Sequence, residues 1–151
     1  MMSDEQTQEE LDSEGLKLAS FNKRAIAFML DDMIISIIFA VIFWDKLGAI
    51  VEPDALILFI NSLFFYILVV KTIYQSVFIA LYGQTLGKMV VKIRVINKEY
   101  LDQPSLLEAL QRGVVRALSE LAFYIGFIWA NFTPLRQTWH DKFAKTLVVD
   151  A

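Results

Sequence analysis

The sequence predicts an all-α integral membrane protein with about three membrane helices and a short cytoplasmic pair of β-strands. Of its 151 residues, 56% are hydrophobic and 21% are charged, whereas soluble domains average roughly 45–50% apolar and 25% charged residues. Two apolar runs are long enough to cross a hydrocarbon core of about 30 Å. A chain of this length forms one compact unit, so we expect its function to come from a single domain.

The composition also narrows the chemistry that is available. The chain has no cysteine and one histidine, which excludes thiol catalysis, disulfides and cysteine or multi-histidine metal centres within one chain. His140 and Asp141 are adjacent, but no nucleophile motif accompanies them. We therefore expect neither an enzyme nor a bound cofactor or metal.

Residues 1–15 differ from the rest of the chain in charge. They contain six acidic residues and no basic residue, which leaves 11 acids against 14 bases for the remainder. A segment so acidic and so poor in apolar residues cannot bury enough surface to offset the entropy of ordering. We predict a disordered acidic tail over residues 1–15 and a membrane domain over residues 16–151.

The first membrane helix is predicted over residues 25–44. Arg24 precedes this apolar run, and Trp44 ends it at the depth of the lipid headgroups. Asp31 and Asp32 lie inside the run, where a central aspartate costs roughly 2.5–3.5 kcal/mol on insertion scales. Charges at such depth usually face a bundle interior or a water path, so both aspartates are functional-site candidates.

The second membrane helix is predicted over residues 55–82, where Lys71 is the only charged residue. At about 1.5 Å per residue this run measures about 42 Å, so the helix must tilt or project from the bilayer. Lys71 lies midway along it. We expect Lys71 to be the counter-charge of the intramembrane aspartates, with Glu120 of the third element also within its reach. Because Asp31 and Asp32 point about 100° apart, only one of them can face a given partner.

A glycine-containing loop and a short strand follow the second helix. Gly83, Thr85, Gly87 and Lys88 form the loop motif. The motif differs from a phosphate-binding P-loop, because its glycines are four residues apart and a methionine follows the lysine. Apolar and basic residues alternate over residues 89–96, which predicts an amphipathic β-strand.

The third membrane element is predicted over residues 114–132. Ser105 and Glu108 form a capping-box pattern that begins a helix before it. Three charged residues then recur at four-residue spacing and share one helical face: Arg112, Arg116 and Glu120. A last strand-like segment, residues 146–149, follows near the C-terminus.

The distribution of basic residues predicts the topology. Most of them precede the first membrane helix or follow the second, so the positive-inside rule places the N-terminus in the cytoplasm. Pairing of the two strands would require the C-terminus on the same side, and therefore a re-entrant or broken third element hinged at Gly126. A plain three-span arrangement with the C-terminus outside is the alternative, and the residues leave both open.

Basic residues between Lys88 and Arg116 adjoin a membrane helix and are interleaved with apolar residues. This placement favours anionic lipid headgroups over nucleic acid as a partner. Three short elements cannot enclose a wide path. Besides the lipid bilayer, the expected partners are therefore further copies of the chain in a homo-oligomer, or a membrane partner subunit.

Four sequence blocks, in this order, resemble the RDD family of small bacterial integral membrane proteins. They are residues 23–31, in which an arginine precedes an aspartate by seven positions, the loop motif, the strand residues 93–95, and His140-Asp141 with residues 145–149. The resemblance spans residues 21–149. The chain departs from the family at residues 97–99, where glycine is usual, and at Lys145, where a small residue is common.

This resemblance implies that Arg24, Asp31 and Asp141 are the residues for which the family is named, with Asp32 as an extra acid or an alternative to Asp31. It implies a protein of the bacterial inner membrane that takes part in transport, and it supplies no substrate. If the C-terminus is cytoplasmic, Arg24 and Asp141 can meet at the inner mouth of a path.

Two functional hypotheses follow. In the first, a multi-pass inner-membrane protein takes part in transport of a cation, proton or small ligand through its intramembrane aspartates. The pathway would comprise six residues: Arg24, Asp31, Asp32, Lys71, Glu120 and Asp141. In the second, a non-transporting accessory or scaffold protein uses the same buried charges for assembly with another membrane protein.

Overall fold

The protein is mainly helical and carries one small sheet. The structure, a computed structural model, describes residues 3–122 and 125–151. Its elements, in chain order, are α1 (Asp4–Ser13), α2 (Phe21–Ile42), α3 (Trp44–Ala49), α4 (Pro53–Tyr82), α5 (Leu86–Val90), β1 (Ile93–Asn97), α6 (Leu106–Leu121), α7 (Ile125–Ile128), a 3-10 turn (Trp129–Phe132), α8 (Trp139–Phe143) and β2 (Thr146–Asp150). This confirms the predicted fold class of an all-α membrane protein with a pair of strands.

Helices α2 and α4 are long and apolar enough to cross a membrane, with mean hydropathies of 2.3 and 2.2. Helix α2 begins four residues before the predicted span, because the Ser20 hydroxyl accepts a hydrogen bond from the Lys23 amide and caps the helix there. Helix α4 begins at Pro53 and ends at Gly83, which has a positive φ of 66°. A left-handed residue of this kind ends a helix without steric cost when it is glycine.

The third predicted span is broken. Helix α6 begins at the expected capping box of Ser105 and Glu108 and ends at Leu121. The helical segment Ile125–Phe132 lies at 113° to it. Residues 114–132 therefore do not form one straight span, and the break precedes Ile125 instead of lying at Gly126.

The sheet joins three separate parts of the chain on one side of the membrane helices. Strands β1 and β2 are antiparallel, with Val95 opposite Val148. Leu18, just before α2, forms a bridge with Val149, and the Ala19 amide donates to the Val148 carbonyl at 2.9 Å. The strand pairing expected from the sequence is confirmed, and it places the C-terminal strand beside the segment that precedes α2. This is the strand pairing that the broken-element arrangement requires.

Residues 4–13 form helix α1, where the sequence predicted a disordered tail. Ser3 and Gln6 form a capping box at its start. Leu11 is buried in a cluster with Ile96, Leu135, Leu147 and Val149. Leu11 thus packs against apolar residues of the two strands. The average composition of residues 1–15 gives no indication of this single contact.

Two glycines allow close contacts between helices. A Cβ on Gly87 of α5 would overlap the Ala27 carbonyl oxygen of α2 and crowd the Asp31 carboxylate. A Cβ on Gly113 of α6 would lie 3.3 Å from the Thr72 carbonyl oxygen of α4 and collide with the Ser76 hydroxyl. Helices α5 and α6 therefore approach α2 and α4 closely, which brings their polar side chains together.

Candidate functional site

Asp31 connects α2 to the loop motif. Its carboxylate is 2% exposed and accepts three hydrogen bonds: from the Tyr74 hydroxyl at 2.7 Å, the Thr85 hydroxyl at 2.6 Å and the Gly87 amide at 2.8 Å. The Thr85 hydroxyl also caps α5. A carboxylate with three donors is fully solvated by the protein, so Asp31 holds the loop motif against α2.

Arg24 and Asp141 form an ion pair. The resemblance implied this contact for the case in which both chain ends lie on the same side of the membrane. Asp141 is 0% exposed and contacts the guanidinium groups of both Arg24 and Arg112. It also accepts a hydrogen bond from the Thr138 amide at 3.0 Å, within the capping box of α8. Although burial opposes ionisation, the two arginines hold the pKa of Asp141 well below its usual range.

The predicted cluster of an aspartate, Lys71 and Glu120 is present, and its aspartate is Asp32 instead of Asp31. Lys71 forms an ion pair with Asp32 and lies 3.5 Å from the Glu120 carboxylate. Asp31 and Asp32 are adjacent on a helix, so their side chains point about 100° apart. Asp31 therefore faces α5, while Asp32 faces Lys71 on α4.

Lys88 of the loop motif is buried between α2 and α6. It is 7% exposed, and its ammonium group lies 3.5 Å from the Thr85 hydroxyl. Burial, reinforced by the positive charges of Arg112 and Arg116, lowers the pKa of Lys88 to about 7. The Lys88 ammonium therefore loses its proton more readily than that of an exposed lysine.

His140 is buried next to Asp141 and the aromatic ring of Phe127. Its ring is 2% exposed and packs against the Phe127 ring at 5.2 Å between centroids. Its Nε2 atom is 3.8 Å from the Asp141 carboxylate, beyond hydrogen-bonding distance. Burial places the pKa of His140 well below its usual value, so the ring is neutral at pH 7.

Three cavities adjoin these residues. The first, the vestibule, has a volume of about 380 Å³ and is lined by Arg24, Arg136 and residues of the α2 N-terminus. The second, the basic cavity, has a volume of about 10 Å³ and is lined by both Arg24 and Arg116. The third, also of about 10 Å³, lies between α4 and α6 and is lined by Arg116, Gln75, Lys71 and Glu120 among others. Arg24 thus lines the first two cavities, and Arg116 lines the last two.

The buried polar residues described above form one charged cluster, which is rich in cations and in hydrogen-bond donors. Within the described ranges, no group of three or more acidic or histidine side chains is placed to hold a metal ion. The Arg116 guanidinium lies 4.8 Å from the centroid of the Phe28 ring and 3.5 Å from the Glu120 carboxylate. Arrangements of this kind bind and orient small charged species.

The structure brings together most of the residues selected from the sequence and adds others. Asp31 lies with Thr85, Gly87 and Lys88, whereas Asp32 lies with Lys71 and Glu120. Gly83 ends α4 at a distance from the charged groups. Sequence reasoning did not select four residues of the cluster: Tyr74, Gln75, Arg112 and His140. The spacing of Arg112, Arg116 and Glu120 on one helical face was the available signal for Arg112.

Comparison with known proteins agrees with the sequence resemblance. Residues 18–145 match the RDD family. A relative named as an uncharacterized protein of Rickettsia prowazekii (strain Madrid E) is 30% identical over 67 residues, which are 44% of this chain. These residues span 36% of the relative's length. No solved structure matches the chain. Because the family match covers most of the chain, including Arg24, Asp31 and Asp141, this protein belongs to the RDD family.

Proposed function

We propose that this membrane protein takes part in moving a small ion or proton across the bacterial inner membrane, with both termini in the cytoplasm. The observation that carries the proposal is a set of three cavities in which Arg24 lines the first two and Arg116 lines the last two. Gln75, in the third cavity, lies seven residues before the end of α4. That position is about 10 Å into the helix at 1.5 Å per residue.

An unsatisfied buried amide supports this path. Gln75 is 3% exposed, and within the described part of the chain neither its amide nitrogen nor its oxygen has a hydrogen-bond partner. Leaving one buried polar group unpaired costs about 1–3 kcal/mol. A polar group retained at that cost inside a membrane helix favours contact with water or a passing ion.

The two aspartates have different parts in this proposal. Asp31 positions the loop motif, because its oxygens are occupied by three donors. Asp32 acts at the deep end of the path through Lys71, which lies between the carboxylates of Asp32 and Glu120. A cation held between two carboxylates can shift toward either one as an ion or proton arrives.

In the half of the membrane beyond the end of α6, the proposed path needs further protein surface to enclose it. Helix α6 ends at Leu121, so on the far side the described elements that can bound the path are α2, α4 and the short helix α3 between them. Their outward side chains are apolar and exposed, as at Met29, Leu58 and Phe65. We assign this surface to lipid and to further copies of the chain in a homo-oligomer.

The competing proposal is an accessory protein whose buried charges mediate assembly. Lys71 and Arg116 together balance the charges of Asp32 and Glu120 within one chain. These charges therefore do not need a partner subunit for neutralisation, and for this reason transport ranks above assembly.

The test is ion flux into proteoliposomes that contain the purified protein. Proton, sodium and chloride movements are followed with ion-sensitive dyes under imposed gradients, for the wild type and for Gln75→Leu. The substitution replaces a buried amide with an apolar group of similar size, so the fold should persist while flux falls at least tenfold. Asn61→Leu is the matched control, because Asn61 lies on the same helix and is exposed.

Two results would reject the proposal. One is the absence of protein-dependent flux of all three ions from wild-type proteoliposomes. The other is equal flux through wild type and Gln75→Leu, because the third cavity would then not lie on the path.

A further inference from the structure

The basic cavity is lined by basic and aromatic side chains, and none of the described residues in its lining is acidic. Its lining comprises five basic side chains and two aromatic rings: Arg24, Lys88, Arg112, Arg116, His140, Phe28 and Phe127. Its free volume of about 10 Å³ holds about one water-sized guest. A site of this size takes a single atom or a water, and excludes phosphate or sulfate unless it expands.

The carboxylates near the cavity do not balance its cations. Asp141 alone serves both Arg24 and Arg112. Glu120 is divided between Arg116 and Lys71, and the Asp31 carboxylate is occupied by Tyr74, Thr85 and Gly87. With Lys88 protonated, four cations in the wall face three carboxylates in this neighbourhood. The balance leaves one positive charge in a buried, low-dielectric place.

Donors in the cavity wall also lack acceptors. Within the described ranges, the Nε atom of Arg112 and the Nδ1 atom of His140 have no hydrogen-bond partner, and both residues are 2% exposed. The Lys88 ammonium lies 3.5 Å from the Thr85 hydroxyl oxygen, a long contact for a hydrogen bond. A buried guanidinium N–H without an acceptor calls for an anion or a water.

We propose that the basic cavity between α2, α5, α6 and α8 is a binding site for one halide-sized anion, with chloride as the probe. The anion takes the Arg112 Nε–H and the Lys88 ammonium as donors and supplies the missing negative charge. It enters from the vestibule past Arg24, which lines both cavities. This inference deepens the proposed function by naming the class of ion at one station of the path.

Binding is expected to be coupled to protonation of Lys88. The charged and titratable groups that face Lys88 are Asp31 and Arg24 from α2, Arg112 and Arg116 from α6, and the neutral His140 from α8. An anion favours the charged form of Lys88. Chloride should therefore bind more tightly at pH 6 than at pH 8, and binding near pH 7 should take up protons.

The experiment measures chloride affinity of the full chain in detergent, by the line width of the chloride NMR signal and by calorimetry. Lys88→Met removes the titrating charge at similar length, and we expect affinity at pH 6 to fall at least tenfold. Lys142→Met is the matched control, because Lys142 is exposed on α8, and it should bind like wild type. Lys88→Arg keeps a permanent charge, so it should bind chloride with no difference between pH 6 and pH 8.

A second variant keeps the test informative if Lys88→Met does not fold. Arg112→Lys retains a cation beside Asp141 but lacks the Nε donor, and it should also weaken chloride binding at least tenfold. Absence of saturable chloride binding to wild type at pH 6 would overturn the inference. Equal binding by the folded Lys88→Met and Arg112→Lys variants would overturn it as well.

Failure of this inference can be told from failure of the proposed function. If chloride does not bind but protons or sodium cross the proteoliposome membrane, transport stands and the anion site falls. If chloride binds and no ion crosses, the anion site stands and transport falls.

Discussion

At the scale of single residues, the central feature is a buried carboxylate shared by two arginines. Asp141 lies on a short helix near the C-terminus, yet it contacts Arg24 of the first membrane helix and Arg112 of α6. Three distant parts of the chain therefore meet at one side chain. The energetic importance of such a group comes mainly from what its removal leaves behind, two buried cations with no anion.

Asp141→Asn should lower the free energy of unfolding by about 3–5 kcal/mol, the range for breaking a buried pair by removing one partner. Asp150→Asn is the control, since its ion pair with Lys23 is partly exposed and such pairs contribute about 0–1 kcal/mol. Chemical denaturation in detergent, followed by tryptophan fluorescence, measures both. A similar loss in the two variants would contradict the role given to Asp141.

His140 predicts a pH dependence of stability. Because its pKa in the folded protein is well below 6.5, the folded state stays neutral while the unfolded state takes up a proton as the pH falls through 6.5. The stability contributed by a neutral His140 is thus present above pH 6.5 and is lost below it, by up to about 1.4 kcal/mol per pH unit.

His140 is the only histidine of the chain, so His140→Gln isolates this effect. The melting temperature of wild type should fall between pH 7.5 and pH 5.5, and that of the variant should fall less. Parallel curves for the two proteins would show that His140 is accessible to protons in the folded state.

At the scale of elements, short segments with glycine position the charged groups. Helix α5 has five residues, and its closeness to α2 depends on Gly87. The same closeness lets the Gly87 amide reach Asp31 at 2.8 Å. The loop motif is therefore a structural connector between the first membrane helix and the start of the sheet.

Gly87→Ala should destabilise the protein by about 1–3 kcal/mol, the usual cost of inserting a methyl group into a packed contact. Gly48→Ala in α3 is the control, since nothing lies within 4 Å of its added Cβ. Replacing a helical glycine in open space should be neutral or stabilising by about 0.5–1 kcal/mol. Thermal unfolding of both variants measures the difference, and equal melting temperatures would reject the close contact.

At the scale of the whole molecule, the sheet joins distant parts of the chain. The bridge between Leu18 and Val149 and the pairing of β1 with β2 place the segment before α2, the segment after α4 and the C-terminal strand together. The bend after α6 leaves α2 and α4 as the two unbroken described helices that are long and apolar enough to cross a membrane. The same arrangement brings Arg24, Arg112 and Asp141 into contact.

Much of this architecture could be predicted from the sequence, because it depends on local patterns. The apolar runs predicted α2 and α4, and Ser105 with Glu108 predicted the start of α6. The partners of the charges could not be predicted in the same way. Whether Lys71 meets Asp31 or Asp32 depends on how the helices are rotated about their axes, and side-chain spacing within one helix does not specify that.

The acidic N-terminal segment is a second example of a structure that depends on contacts with residues far along the chain. Its composition is that of a disordered segment, and its helix depends on the burial of Leu11 against residues far along the chain. Average composition does not register a single leucine that meets a complementary surface. Non-local packing therefore accounts for the main differences between prediction and structure.

The most direct test of this account is the sidedness of the two chain ends in intact inner-membrane vesicles. Arg24 and Asp141 can form their ion pair only if the C-terminal strand lies on the same side as the residues before α2. Reporters that are active on only one side of the membrane are fused before Met1 or after Ala151. Both fusions should report the cytoplasm. A C-terminal reporter on the opposite side would contradict the shared cluster, the path and the anion site together.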